Sequence, residues 1–143
     1  MIKTFRGLLA DGAQRTIRLS TNKGLMGYRI VKMELMPNEP GDADQESVVQ
    51  IFKYEQDTID GKINFDDPTC IAAGHVSNST TTYQYPPADV VIVDTAVFNQ
   101  DIFITHEESK GASGVNYYLE LEQIKLDLDE ASIATLKDMR GSN

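Results

Sequence analysis

The chain has 143 residues, one cysteine (Cys70) and no tryptophan, with 41% hydrophobic and 24% charged residues. That length suits one domain that buries about two-thirds of its unfolded surface. A single cysteine excludes an intrachain disulfide and a cysteine-based zinc site. The net charge of −9 argues against nucleic acid as a partner of the whole chain. No apolar run approaches the roughly 20 residues that cross a bilayer, and no signal-peptide pattern stands at residue 1, so no membrane role is expected.

The charge is uneven along the chain. Residues 1–32 hold Lys3, Arg6, Arg15, Arg18, Lys23, Arg29 and Lys32 against one acid, Asp11. Residues 33–143 hold six bases and 21 acids. Two arrangements follow: bases solvating the outer faces of early strands, or a bipolar surface that docks onto an oppositely charged partner or another copy.

In chain order, residues 14–20 (QRTIRLS) alternate, with Arg15, Ile17 and Leu19 on one face. Residues 26–36 (MGYRIVKMELM) place Val31, Met33 and Leu35 on one face and Lys32 and Glu34 on the other. Pro37 and the loop NEPGDAD end that strand. Residues 47–55 (SVVQIFKYE) are rich in β-formers, and 69–76 (TCIAAGHV) form a weaker strand. The polar stretch 77–88 reads as an extended loop or arm, stiffened by Pro86-Pro87. Residues 89–98 (DVVIVDTAVF) begin with a continuous apolar run, as in a strand covered on both faces. Residues 101–106 (DIFITH) follow a turn at Asn99-Gln100, and Gly111–Gly114 reads as a hairpin loop.

The clearest strand is 115–128 (VNYYLELEQIKLDL). Val115, Tyr117, Leu119 and Leu121 share a face, but the later apolar positions are Ile124, Leu126 and Leu128. A period of two cannot absorb that odd step, which predicts a bulge or break near Glu122-Gln123. Residues 129–139 (DEASIATLKDM) predict a short C-terminal helix, with Asp129 as N-cap and Gly141 just past the end. Seven or eight strands separated by turn signals predict an all-β fold, an antiparallel β-sandwich of jelly-roll or related topology spanning residues 1–143 as a single domain.

Chemical signatures are sparse. His75 and His106 are the only histidines, and His106-Glu107-Glu108 lacks the second histidine of HExxH, since residue 110 is Lys. There is no G-x-S-x-G elbow and no phosphate-cradling glycine motif. Cys70 sits among apolar neighbours and reads as an inert small hydrophobe. Acids in Gly/Pro-rich loops (Asp42, Asp44 and Glu46; Asp57 and Asp60; Asp66 and Asp67) carry the oxygen chemistry of calcium, in no EF-hand spacing. Asn78-Ser79-Thr80 fits a glycosylation sequon but has no secretory context. No catalytic, metal or cofactor residues are assigned. The expected activity is non-enzymatic, through partner-binding residues: the bases Lys3, Arg6, Arg15 and Arg18, and Tyr83 and Tyr85 in the polar arm. A carbohydrate-binding module is the alternative, resting on those two tyrosine rings.

Three stretches resemble small structural proteins of tailed bacteriophages: GYRIVKMELMP (27–37), GKINFDDPTCIAAG (61–74) and the segment from Phe98 to Gly141. The resemblance covers most of the chain from Gly27 onward, through packing patterns. It implies a virion component without enzymatic activity. Such a capsid decoration or cement subunit would bind the major capsid protein or other virion proteins, as a homo-oligomer with a trimer favoured, assembled in the host cytoplasm. A tail- or fibre-associated receptor-binding component is the other position the resemblance allows.

Overall fold

The computed structural model describes residues 1–19, 25–39, 45–78, 88–111, 113–127, 130, 133, 135 and 136. Among them stand eight strands: β1 (Ile2–Leu9), β2 (Gln14–Ile17), β3 (Met26–Pro37), β4 (Gln45–Phe52), β5 (Cys70–Asn78), β6 (Ala88–Val93), β7 (Ile102–Glu108) and β8 (Val115–Lys125). They form two antiparallel sheets, β1-β8-β3 and β2-β7-β4-β5-β6, packed face to face. First pairs with last, second with seventh and fourth with fifth, which is the nested winding of a jelly roll. The departure is β6, which pairs with β5 at the edge of the larger sheet. The all-β sandwich read from the alternation is therefore present. The helix expected over 129–139 lies outside the described residues, apart from residues 130, 133, 135 and 136.

The core forms where the two inner faces meet. From β8 come Val115, Leu119 and Leu121, all fully buried, and Tyr117. Opposite them lie Val49 and Ile51 of β4 and Ile102 and Ile104 of β7, also without exposure. Each such aliphatic side chain contributes about 1.5–3 kcal/mol by leaving water. At one corner, the fully buried His106 donates from Nδ1 to the carbonyls of Leu9 and Ala10, 3.1 Å each. Its backbone N–H donates to Ala13 O, and its carbonyl accepts from Gly12 N. The crossing from β1 to β2 is thereby fastened to β7 by side chain and backbone together.

Several local expectations are corrected. No break occurs at Glu122-Gln123: β8 runs unbroken to Lys125, and its pairing with β3 shifts between Ile30 and Lys32. The extra residue is Val31, which is 41% exposed rather than sharing the core face of Met33 and Leu35. The late change of parity in β8 has another cause. Ile124 packs with Leu126, Leu25 and Val97 in a second apolar cluster at the end of the sheet. Gly27 opposite Ile124 admits this cluster, because a Cβ there would lie 3.0 Å from Leu126 Cδ1 and 3.1 Å from Val97 Cγ1.

Other segments differ for reasons of edge and connection. β1 was not singled out by its sequence, since only Phe5, Gly7 and Leu9 of its eight residues escape full exposure. β2 stops at Ile17, and Leu19 N donates instead to Asp101 Oδ1 at 2.7 Å. The apolar run of 89–98 is an edge strand rather than a covered one, so Val90 and Ile92 stay 57% and 52% exposed. Its tail leaves the sheet, and Phe98 bridges to Tyr28. The link from Glu108 to Val115 is no hairpin, because β7 and β8 belong to different sheets.

β3 closes over β5 and β6 at Gly74. A Cβ on Gly74 would stand 2.6 Å from Leu35 Cδ1, 3.3 Å from Val91 Cγ2 and 3.4 Å from Met33 Cε. Replacing Gly74 by Val overfills this junction. Urea unfolding of Gly74→Val is expected to show a loss of about 1–3 kcal/mol.

Candidate interaction surface

The outer face of the three-stranded sheet is built from register. Antiparallel partners share a face, so rows cross β1, β8 and β3 in turn. These rows are Ile2, Glu122 and Arg29; Thr4, Glu120 and Lys32; Arg6, Tyr118 and Glu34; and Leu8, Asn116 and Met36. Ile2, Leu8, Val31 and Met36 are 49%, 46%, 41% and 62% exposed. Among them stand three bases, Arg6, Arg29 and Lys32, and three acids, Glu34, Glu120 and Glu122. Arg29 pairs with Glu122, and Lys32 lies 3.5 Å from Glu34 and 6.0 Å from the centre of the Tyr118 ring. Surface pairs of this kind contribute at most about 1 kcal/mol each. Their larger effect is to alternate the sign of charge across an apolar-dotted face.

Among the described residues, the four bases expected to bind a partner do not stand together. Arg6 stands on this face, across from Tyr118. Lys3 belongs to the inner-facing set of β1 and holds its ammonium 5.8 Å over the Tyr28 ring. Arg15 closes the open edge between β2 and β1: Nη2 donates to Leu8 O at 3.0 Å, Nη1 reaches Tyr117 Oη at 3.5 Å, and the guanidinium lies 5.9 Å from that ring's centre. Arg18 is exposed beyond β2. Tyr83 and Tyr85 lie outside the described residues. The described bases of this segment thus stand on an outer face, an inner rim and a sheet edge. Leu8, Met36, Ile2 and Tyr118 were missed. Their signal was an apolar residue at the outward parity of an otherwise polar set.

The histidines do not meet. His75 faces outward from β5, opposite Val48, while His106 faces inward from β7. The sheet itself separates them. Cys70 is buried, and its thiol donates to Ala72 O at 3.5 Å. Burial pushes its pKa up, the Ala72 bond opposes, and the Asp67 charge adds to the rise, so the thiol stays neutral and poorly nucleophilic. Of the acidic loop residues, Asp42 and Asp44 lie outside the described residues and Glu46 is exposed on β4. Asp60 Oδ1 accepts from Lys62 N, and Asp67 Oδ1 accepts from Thr69 N and Oγ1, both serving turns. Among the described residues no three His, Cys, Asp or Glu side chains group to hold a metal, and no helix is long and apolar enough to cross a membrane.

The class that this geometry defines is an all-β sandwich in which one sheet face exposes mixed apolar and charged residues. Comparison with protein-family models, with curated proteins and with solved structures finds no match to the chain.

Two predictions follow from the charged groups. Arg15→Ala removes the bond to Leu8 O and the contact with Tyr117, and is expected to lower unfolding stability by about 0.5–1.5 kcal/mol, with Arg15→Lys restoring only part. Partial burial, then the Glu34 carboxylate, raises the Asp89 pKa against an opposing pull from His75. The folded chain therefore holds that proton more tightly than the unfolded chain, and the ionised form costs stability. Asp89→Asn is expected to raise the melting temperature at neutral pH by less than about 1 kcal/mol in free-energy terms, because the site is exposed. That gain disappears as pH falls and wild-type Asp89 takes up its own proton.

Proposed function

We propose that the chain is a non-enzymatic structural protein of a virion, a capsid decoration or cement subunit that binds the major capsid protein lattice. The observation that carries this reading is the outer face of β1, β8 and β3. Its exposed Leu8, Val31, Met36 and Ile2 lie between bases and acids of equal number. Protein interfaces are built this way, with apolar anchors for affinity and a charged surround for orientation and rate. The resemblance of residues 27–37, 61–74 and 98–141 to small structural proteins of tailed bacteriophages supports the same reading. On the lattice, the subunit forms a symmetric homo-oligomer, a trimer in the favoured arrangement.

The test is cosedimentation of the purified chain with assembled particles of a tailed-phage major capsid protein. Wild-type chain is expected in the pellet. The double variant Leu8→Glu, Met36→Glu, which changes only exposed positions, is expected to bind at least about tenfold more weakly. Wild-type chain left in the supernatant, or a double variant that pellets equally well, would overturn the proposal.

A further inference from the structure

Residues 53–69, between β4 and β5, fold back across the outer face of the five-stranded sheet. Two amides fasten them. Gln50 Nε2 donates to Lys62 O at 3.0 Å and Asp60 O at 3.4 Å. Gln14 pairs with the backbone of Gln56, donating from Nε2 to its carbonyl at 3.0 Å and accepting its N–H at 2.8 Å. Between this loop and the sheet lies a cavity of about 290 Å³. Gln50, Phe52 and Thr105 line it from the strands, and Thr58, Asn64 and Asp67 line it from the loop. Gln50 and Thr105 are 3% and 2% exposed, so two polar side chains are held in place at the base of an otherwise solvent-facing site.

We propose that this cavity binds one neutral polyhydroxylated ring, a single pyranose-sized sugar. The volume stands at the lower end of ligand pockets, about 300–1,000 Å³, and admits one ring rather than a peptide or an oligomer. The polar groups keep capacity after fastening the loop. Gln50 spends its amide nitrogen on the loop, and its Oε1 meets only the Cys70 thiol, at 3.9 Å. Thr105 Oγ1 makes a long 3.5 Å bond to Gln50 O. Asp67 meets Thr69 through Oδ1 alone. Amide, carboxylate and hydroxyl oxygens side by side suit vicinal hydroxyls, and Phe52 gives an apolar wall for the C–H face of a ring. Beside the cavity, Glu107 Oε2 is buried without a hydrogen-bond partner among the described residues, under Gly61. The charges exclude other ligands. Asp60 and Asp67 outnumber Lys62, which disfavours an anion, and the donor set is too poor in carboxylates for a metal. This site lies on the opposite side of the sandwich from β1, β8 and β3, so it stands or falls independently of lattice binding.

The experiment is amide chemical-shift titration of the isotope-labelled full chain. The probes are glucose, galactose, mannose and N-acetylglucosamine, with inorganic phosphate and methylammonium as charged comparisons. One or more sugars is expected to shift the amides of residues 56–67 and Thr105, with a Kd on the order of 1–10 mM. Thr105→Val, equal in volume but without the hydroxyl, is expected to weaken binding about fivefold. Thr58→Trp, at an exposed position of the loop, fills the cavity and is expected to abolish the shifts while the melting temperature holds. Thr58→Trp decides alone if Thr105→Val does not fold. The proposal is overturned if no sugar shifts these amides, if only phosphate or methylammonium does, or if a sugar binds Thr58→Trp with wild-type affinity.

Discussion

The structure depends on the placing of β8 between β1 and β3. A central strand must satisfy hydrogen bonds on both edges and offer one face to the core. β8 does so with strict alternation: Val115, Tyr117, Leu119 and Leu121 point inward and Asn116, Tyr118, Glu120 and Glu122 outward. A slip of one residue would put Leu119 and Leu121 in water and Glu120 in the core, so the register is strongly specified. The first and last strands must then meet, because β1 pairs along its whole length with β8. Everything between is forced into nested strands, and the jelly-roll winding follows from that one pairing.

The same placement rearranges the charge. In sequence the bases and acids are segregated, and a bipolar particle is a fair inference. In space, β1 and β3 flank the strand whose outward positions are acidic. Arg29 meets Glu122, and Lys32 sits across from Glu120. The segregation along the chain is thereby turned into alternation across a sheet. Cross-strand opposite charges contribute a few tenths of a kcal/mol each to the pairing, so the basic early strands select the acidic last strand as their neighbour. Repulsion along β8 alone would be greater without them.

Period-two alternation made the sandwich legible, since it needs no knowledge of partners. What it could not show were features set by a neighbouring strand. The odd step in β8 is visible in sequence, yet its cause lies in the cluster around Leu126, and the bulge that does occur lies in β3, at Val31. β6 has the sequence of a central strand and the position of an edge, because exposure depends on what packs beside it. Arg15 looked like a free surface charge. Its partners, Leu8 O and Tyr117 Oη, are brought near by the corner that His106 fastens, and the residue pairs that do this are separated by about a hundred positions in the chain. The outward apolar residues of β1 and β3 were in plain view, but only the register shows that Leu8 and Met36 lie in one row.

The two sheets divide the molecule's surfaces by the same logic. Among the described residues no strand or loop packs on the outer side of the smaller sheet, and its Ile2, Leu8, Val31 and Met36 stand exposed between charges. The larger sheet receives the β4–β5 connection, which is too polar to pack as a dry layer. Its carbonyls take the Gln50 amide, the Gln56 backbone pairs with Gln14, and the space left over is lined mostly by polar side chains. A loop rich in Asp, Asn and Thr laid over Gln and Thr on strands cannot be closed by apolar packing. It must hold water or a ligand that replaces water's hydrogen bonds. The described residues therefore give the sandwich two chemically distinct outer faces on one core, one dotted with exposed apolar side chains and one overlaid by a polar loop.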